Sequence, residues 1–182
     1  MTIKLSPVMS FSSRPWQNGR GTTREIMVGE GWRVSLADID ADGAFSLFPG
    51  LKRWLGLAGG RRLTLHGLSQ EPCVLKAPGD IVHFDGDLPV TASCHGAPVR
   101  AFNLMVRPDM RAVLTYHHEA FTLPTDARFF LLPLSGLWRI ADVPKPAAPG
   151  MIAEGLCDTR PTPGFRSSGT SECLVASVFH AT

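Results

Sequence analysis

The sequence predicts an all-β fold, and three observations carry that prediction. Its 18 glycines and 15 prolines fall at short intervals along all 182 residues. No long window repeats apolar residues at the i, i+3, i+4, i+7 spacing of an amphipathic helix. The apolar runs are short and end at turn residues, the pattern of a β-sandwich or barrel.

Taken in order, residues 21–28 (GTTREIMV) read as a first strand. Gly29-Glu30-Gly31 joins it by a hairpin to residues 31–39 (GWRVSLADI). Trp32, Val34 and Leu36 alternate there with Arg33, Ser35 and Ala37, so the two faces of the strand differ in polarity. Residues 41–50 (ADGAFSLFPG) read as turns, and residues 52–68 as two strands about a Gly59-Gly60 hairpin. Strands at 78–84 and 99–107 follow, and Pro108-Asp109 closes the first half.

The second half has strands at 111–118, 128–140, 150–156 and 172–180. A hairpin about Ser135-Gly136 parallels the one about Gly59-Gly60, and the segment 97–106 parallels 171–180, both at an offset of about 75 residues. These parallels indicate two copies of one β unit that share a core, residues 1–110 and 111–182. The Pro/Ala/Gly-rich segment 143–150 is predicted as a surface loop inside the second copy.

Composition narrows the function. A hydrophobic fraction of 44% against 19% charged excludes a disordered chain. The formal charge of +2 comes without any basic run, which excludes an electrostatic nucleic-acid binder. The N-terminal residues MTIKLSPVMSF lack the apolar run of a secretory signal, and no stretch approaches ~20 apolar residues. The expectation is a soluble cytoplasmic protein with no membrane partner. Cys73, Cys94, Cys157 and Cys173 form no CxxC pair, so they read as reduced, mostly buried side chains rather than metal ligands or a disulfide framework.

One segment departs from this apolar background. Residues 14–26, RPWQNGRGTTREI, concentrate three arginines with amides, threonines and a glutamate. Such residues either make a solvated edge or line a polar pocket. PWQNGRGTTREI, then WRVSLADIDADGAFSLFPGLKRWL, then FNLMVR together resemble the signature of the HutD/Ves family across residues 15–107. The resemblance implies a double-stranded β-helix, that is a bicupin of RmlC-like cupin type with two stacked β-barrels in one chain. It also implies an association with bacterial histidine utilisation. Two positions depart from the family pattern. Arg20 stands where a glycine is usual and places charge near the pocket mouth, and Ala101 stands where an acidic residue is usual.

Many cupins hold a metal through an H-x-H pair on one strand, and this chain has none. His66 and His83 are isolated, and His117-His118 would point to opposite faces of a strand. No metal and no cofactor are expected. Nor does the sequence nominate a catalyst: there is no G-x-S-x-G elbow, and Glu25 reads first as an ion-pair partner for Arg24 or Arg33.

Binding remains. Guanidinium forks grip carboxylates, while Asn, Thr and Ser offer directional hydrogen bonds. The candidate ligand-binding residues are Trp16, Asn18, Thr22, Thr23, Arg24, Glu25, Arg33, Ser35, Ser46, Arg53 and Asn103. The structural alternative makes Trp16 a core plug, Asn18-Gly19 a tight turn and the arginines a salt-bridge lattice. The family resemblance implies a small anionic metabolite of histidine breakdown, such as urocanate or formylated glutamate, bound by a protein that moderates the pathway. A metal-independent cupin enzyme, an isomerase or hydrolase acting on such an acid, is the alternative. A homodimer is compatible with the resemblance.

Overall fold

A computed structural model describes residues 2–141, 143–157 and 164–179, and among these the only helical element is one 3-10 turn, Val8–Ser10. The all-β prediction holds. Contacts divide the chain into two units, Ser12–Asp109 and Met1–Phe11 together with Met110–Thr182. The first eleven residues therefore do not belong with the N-terminal unit. Strand β1 (Ile3–Pro7) pairs antiparallel along its whole length with Met151–Gly155.

The unit Ser12–Asp109 is built from β2 (Ser13–Pro15), β3 (Gly21–Gly29), β4 (Trp32–Ile39), β5 (Gly43–Ala44), β6 (Lys52–Gly59), β7 (Leu63–His66), β8 (Cys73–Leu75), β9 (Ile81–Asp85), β10 (Thr91–Ser93) and β11 (Val99–Val106). One sheet has the order β2-β3-β4-β11-β6-β9 and the other β5-β10-β7-β8. Side chains of both meet in one core: Ile39, Leu55, Leu57 and Ala101 from the first, Leu63, Leu65, Leu75 and Ala92 from the second. That is a two-sheet sandwich, in which each strand sends alternate side chains inward. The hairpin at Glu30-Gly31 forms as predicted, with Gly29 paired to Trp32 and Gly31 at φ +75°.

Gly59-Gly60 is not a hairpin turn. β6 and β7 lie in different sheets, so the two glycines turn the chain from one sheet to the other. Gly60 adopts φ +91°, and a Cβ there would stand 2.7 Å from Val99 Cγ1, which restricts the position to glycine.

The second unit contains β1 with β12 (Ala112–His117), β13 (Phe121–Thr122), β14 (Ala127–Ile140), β15 (Met151–Cys157) and β16 (Gly164–Phe179), the main path running β1-β15-β14-β16-β12. Ser135-Gly136 is not a hairpin either: β14 passes through it as one strand, with register shifts on both sides of Ser135. These irregularities bend the β14–β16 ladder. Phe129, Leu131, Cys173 and Val175 from one arm thereby share a core with Trp138, Ile140 and Phe165 from the other. Of the predicted loop 143–150, Ala147 is buried and bridges to Trp138.

Candidate functional site

The register of the first unit places a polar row at one end of the inner sheet face. Arg33 pairs with Met105, and Met105 with Arg53, so these side chains stand abreast on β4, β11 and β6. The next row is Ser35, Asn103 and Leu55, with Glu25 set against Ser35 from β3. A third row, Thr23, Ala37, Ala101 and Leu57, leads into the apolar core. Paired residues of an antiparallel ladder point to the same face, so the three rows make a floor graded from cationic to apolar. Arg14, Pro15 and Trp16 on one side, with Phe45, Ser46 and Phe48 on the other, wall a cavity of about 200 Å³.

Arg53 is the chemical centre of this cavity. Its side chain is buried, and its Nη2 donates to Asn103 Oδ1 at 3.1 Å. The guanidinium lies over the rings of Phe45, Phe84 and Phe48 at 4.8, 5.2 and 5.5 Å from their centroids. Its Nε has no hydrogen-bond partner, and among the described residues no carboxylate is paired with it. Burial, then the like charge of Arg33, lowers its pKa to about 10, so it remains a cation at neutral pH. A shift of this size from 12.5 corresponds to a folded-state cost on the order of 3 kcal/mol. The aromatic faces beneath it offset part of the lost hydration.

Around it, Arg33 Nε lies 3.1 Å from Glu25 Oε2 and its guanidinium is 6.0 Å from the Phe48 ring. Trp16 Nε1 donates to Thr23 Oγ1 at 2.7 Å, and the indole meets Phe45 edge-on at 6.1 Å. Gly21 permits this packing, because a Cβ there would lie 3.3 Å from the indole and 2.4 Å from the Asp38 carbonyl oxygen. Ser35 is buried on the floor, and Arg14 is exposed at the rim.

The structure thus brings Trp16, Thr23, Arg33, Ser35, Ser46, Arg53 and Asn103 together around one space. Four candidates lie outside the lining. Thr22 opens onto a separate groove with Asp38, Gly59 and Arg100, and Arg24 is not part of the wall. Asn18 is a turn residue whose Oδ1 accepts from the Arg20 N–H and whose Nδ2 donates to the Ala44 carbonyl. Glu25 reaches the site only through Arg33. Arg20 does not stand at the pocket mouth: its Nη1 donates to the Asp42 carbonyl and its chain covers Gly43. Ala101 sits fully buried in the apolar part of the floor, where an unpaired carboxylate would be costly. Sequence reasoning missed Arg14, Phe45, Phe48 and Met105; the two phenylalanines within a turn-rich stretch were the available signal.

The lining offers no imidazole, thiolate or carboxylate, a donor set that does not fit a metal. The histidines lie elsewhere: His83 stacks on Trp54 at 4.1 Å and His117 on Phe121 at 3.8 Å. None of the four cysteines forms a disulfide, and Cys94, Cys157 and Cys173 are buried. Among the described residues no helix is long and apolar enough to cross a membrane.

Solved cupin-like β-proteins share this fold. A cupin 2 conserved barrel domain protein from Leptotrichia buccalis superposes with a TM-score of 0.63 at 8% identity, covering 97% of this chain and 96% of that one. The chain belongs to the HutD family, whose model matches residues 9–157. It is 33% identical over 140 residues to an uncharacterized 21.2 kDa protein in the hutC 3′ region of Pseudomonas putida, covering 71% of this chain and 72% of that relative. It is also 33% identical over 135 residues to protein Ves of Citrobacter koseri, 70% of each chain. The structure of HutD from Pseudomonas fluorescens SBW25 shares the fold with a TM-score of 0.83 at 22% identity, over 99% of this chain and all of that one.

Proposed function

We propose that this chain is a HutD-like metabolite-binding protein associated with histidine utilisation, and that its cavity takes a small carboxylic acid. The observation that carries the reading is Arg53, a buried cation at the cavity floor with Asn103 beside it and no carboxylate paired with it among the described residues. A ligand carboxylate would accept hydrogen bonds from Arg53 and Arg33 while Ser35 supports it from the floor. The ligand's planar or apolar body would rest against Trp16, Phe45 and Phe48, and Arg14 would remain to meet a second acidic group at the rim. Urocanate and formylated glutamate both carry carboxylates that suit these groups. No group in the lining is placed as an acid, base or nucleophile, which supports binding over turnover. We also infer that the two units are the two barrels of a bicupin; the division of the chain into two units and cupin-like neighbours spanning nearly the whole chain support it.

The test is calorimetric titration of the full-length protein with urocanate and with N-formyl-L-glutamate, followed by chromatography of the recovered ligand. Saturable binding of at least one, with the ligand unchanged and affinity lost in Arg53→Met, is expected. Conversion of the ligand would favour the enzyme reading, and absence of binding by both would remove the proposed ligand class.

A further inference from the structure

Glu25 is the only carboxylate paired with a cavity arginine among the described residues. Its pairing is incomplete. Oε2 stands 3.1 Å from Arg33 Nε, yet that nitrogen has no aligned hydrogen bond, and the terminal amines of Arg33 have no partner among the described residues. The Glu25 side chain is 42% exposed, against 27% for Arg33, so it approaches the guanidinium from the solvent side. The ladder beside it is broken by a bulge between Glu25 and Met27. A half-exposed and poorly aligned pair contributes little to stability, which does not account for a carboxylate held against a cavity arginine.

Given the carboxylate-binding reading above, on which this inference rests, we propose that Glu25 is the resident counter-ion of Arg33 and a built-in competitor of the ligand. In the empty cavity it neutralises Arg33. An incoming carboxylate displaces it, taking the guanidinium edge that Glu25 leaves unused and then the Nε contact itself. Arg53, deeper and without an acid of its own, has no such competitor. Anions that reach only Arg33 must therefore contend with Glu25, whereas an acid whose carboxylate reaches Arg53 gains a cation that nothing neutralises. Glu25 is by this account a specificity-determining residue, biasing the site against small anions that stop at the mouth.

Acetate is a suitable probe, because it carries one carboxylate and almost no body. Acetate affinity is measured by titration at low ionic strength for the full-length protein, Glu25→Gln, Glu25→Ala, Arg33→Met, Arg53→Met and Glu25→Gln/Arg33→Met, each checked by thermal melting. Both Glu25 variants should bind acetate about 2- to 5-fold more tightly, the upper part of the range for a partly exposed ion pair. In the Arg33→Met background the gain should shrink to less than about twofold, because the competition acts through Arg33. A Glu25→Gln protein that binds acetate more weakly, or one whose gain persists without Arg33, overturns the proposal while leaving the cavity reading intact. Acetate binding that is absent from every variant, or indifferent to both Arg33→Met and Arg53→Met, removes the cavity reading and this proposal with it.

Discussion

Arg53 and Asn103 meet across neighbouring strands, the guanidinium donating at 3.1 Å to the amide oxygen with both side chains buried. The pair does not repay the burial of a full charge, since Asn103 supplies only a dipole. Arg53→Met should lower affinity for a small carboxylate by roughly 10–150-fold, the loss of about 1.5–3 kcal/mol of charge-assisted hydrogen bonding. Alone it strands the Asn103 acceptor. Arg53→Met/Asn103→Leu removes charge and acceptor together and should melt above the parent while binding no anion. A double variant that melts well below the parent would show that the pair serves the fold rather than a ligand.

Gly136 and Gly169 both adopt left-handed backbone, at φ +63° and +70°, but their surroundings differ. A Cβ at Gly136 would fall 2.1 Å from Ser171 Oγ, whereas Gly169 has nothing within 4 Å. Ser171 is buried and its hydroxyl ties β14 to β16, accepting from the Leu137 N–H and facing the Leu137 and Ser168 carbonyls. Gly169→Ala should cost about 1–2 kcal/mol from backbone conformation alone. Gly136→Ala should cost about 1–3 kcal/mol more, through the displaced Ser171 hydrogen bonds, in urea unfolding at neutral pH. Equal costs would place Ser171 outside the stabilisation of the bend.

Gly136 also marks a limit of what the sequence made legible. Turn residues between apolar runs read equally as a hairpin, a bulge or a corner between sheets. Ser135-Gly136 proved to be a bulge and Gly59-Gly60 a corner, because tertiary pairing and not local chemistry decides which strand comes next. Alternation along β4 did separate Arg33, Ser35 and Ala37 as one face, and those residues line the cavity. It misled on β3 only where choosing a face was needed: Thr23 faces the cavity and Thr22 and Arg24 do not. Period two defines two faces without saying which one is inside. Pairing β1 with β15 left no local trace, since β1 is five residues of ordinary strand composition.

His117 gives the second unit a pH dependence. Burial, followed by the charge of neighbouring His118, lowers its pKa below 6.5. Its ring stacks on Phe121 at 3.8 Å, its Nε2 lies 2.9 Å from Thr115 Oγ1, and across the strand it pairs with Cys173, whose thiol burial pushes up and keeps neutral. The folded protein therefore resists a proton that the unfolded chain accepts. Stability from this group is complete above about pH 6.5, falls as pH drops through the interval down to the lowered folded pKa, and then levels. His117→Phe should flatten part of the decline in melting temperature between about pH 7.5 and 5. His83, shifted the same way by burial and Lys52, contributes in both proteins, so the comparison isolates His117. An unchanged slope would remove His117 as its source.

Arg33 and Arg24 test the cavity wall most directly, because only the first belongs to it. Arg33→Met keeps much of the side-chain volume and removes the charged donors. It should weaken binding of a small carboxylate by about 10-fold or more, in line with the loss of a charge-assisted hydrogen bond. Its effect on stability should be small, within about 1 kcal/mol, because the Glu25 it leaves behind is 42% exposed and regains water rather than being stranded. The larger penalty of ~3–5 kcal/mol, expected for a broken buried pair, does not apply to a pair with this exposure. Arg24→Met should leave carboxylate affinity within about twofold of the parent once the protein is folded, since Arg24 is not one of the lining residues. The two variants are compared by ligand titration and thermal melting under one buffer. Equal losses of affinity from both would mean that general positive potential, and not the Arg33–Arg53 row, draws the anion in. A destabilised Arg33→Met that binds normally would assign Arg33 to the strand lattice and leave Arg53 as the sole cation of the floor.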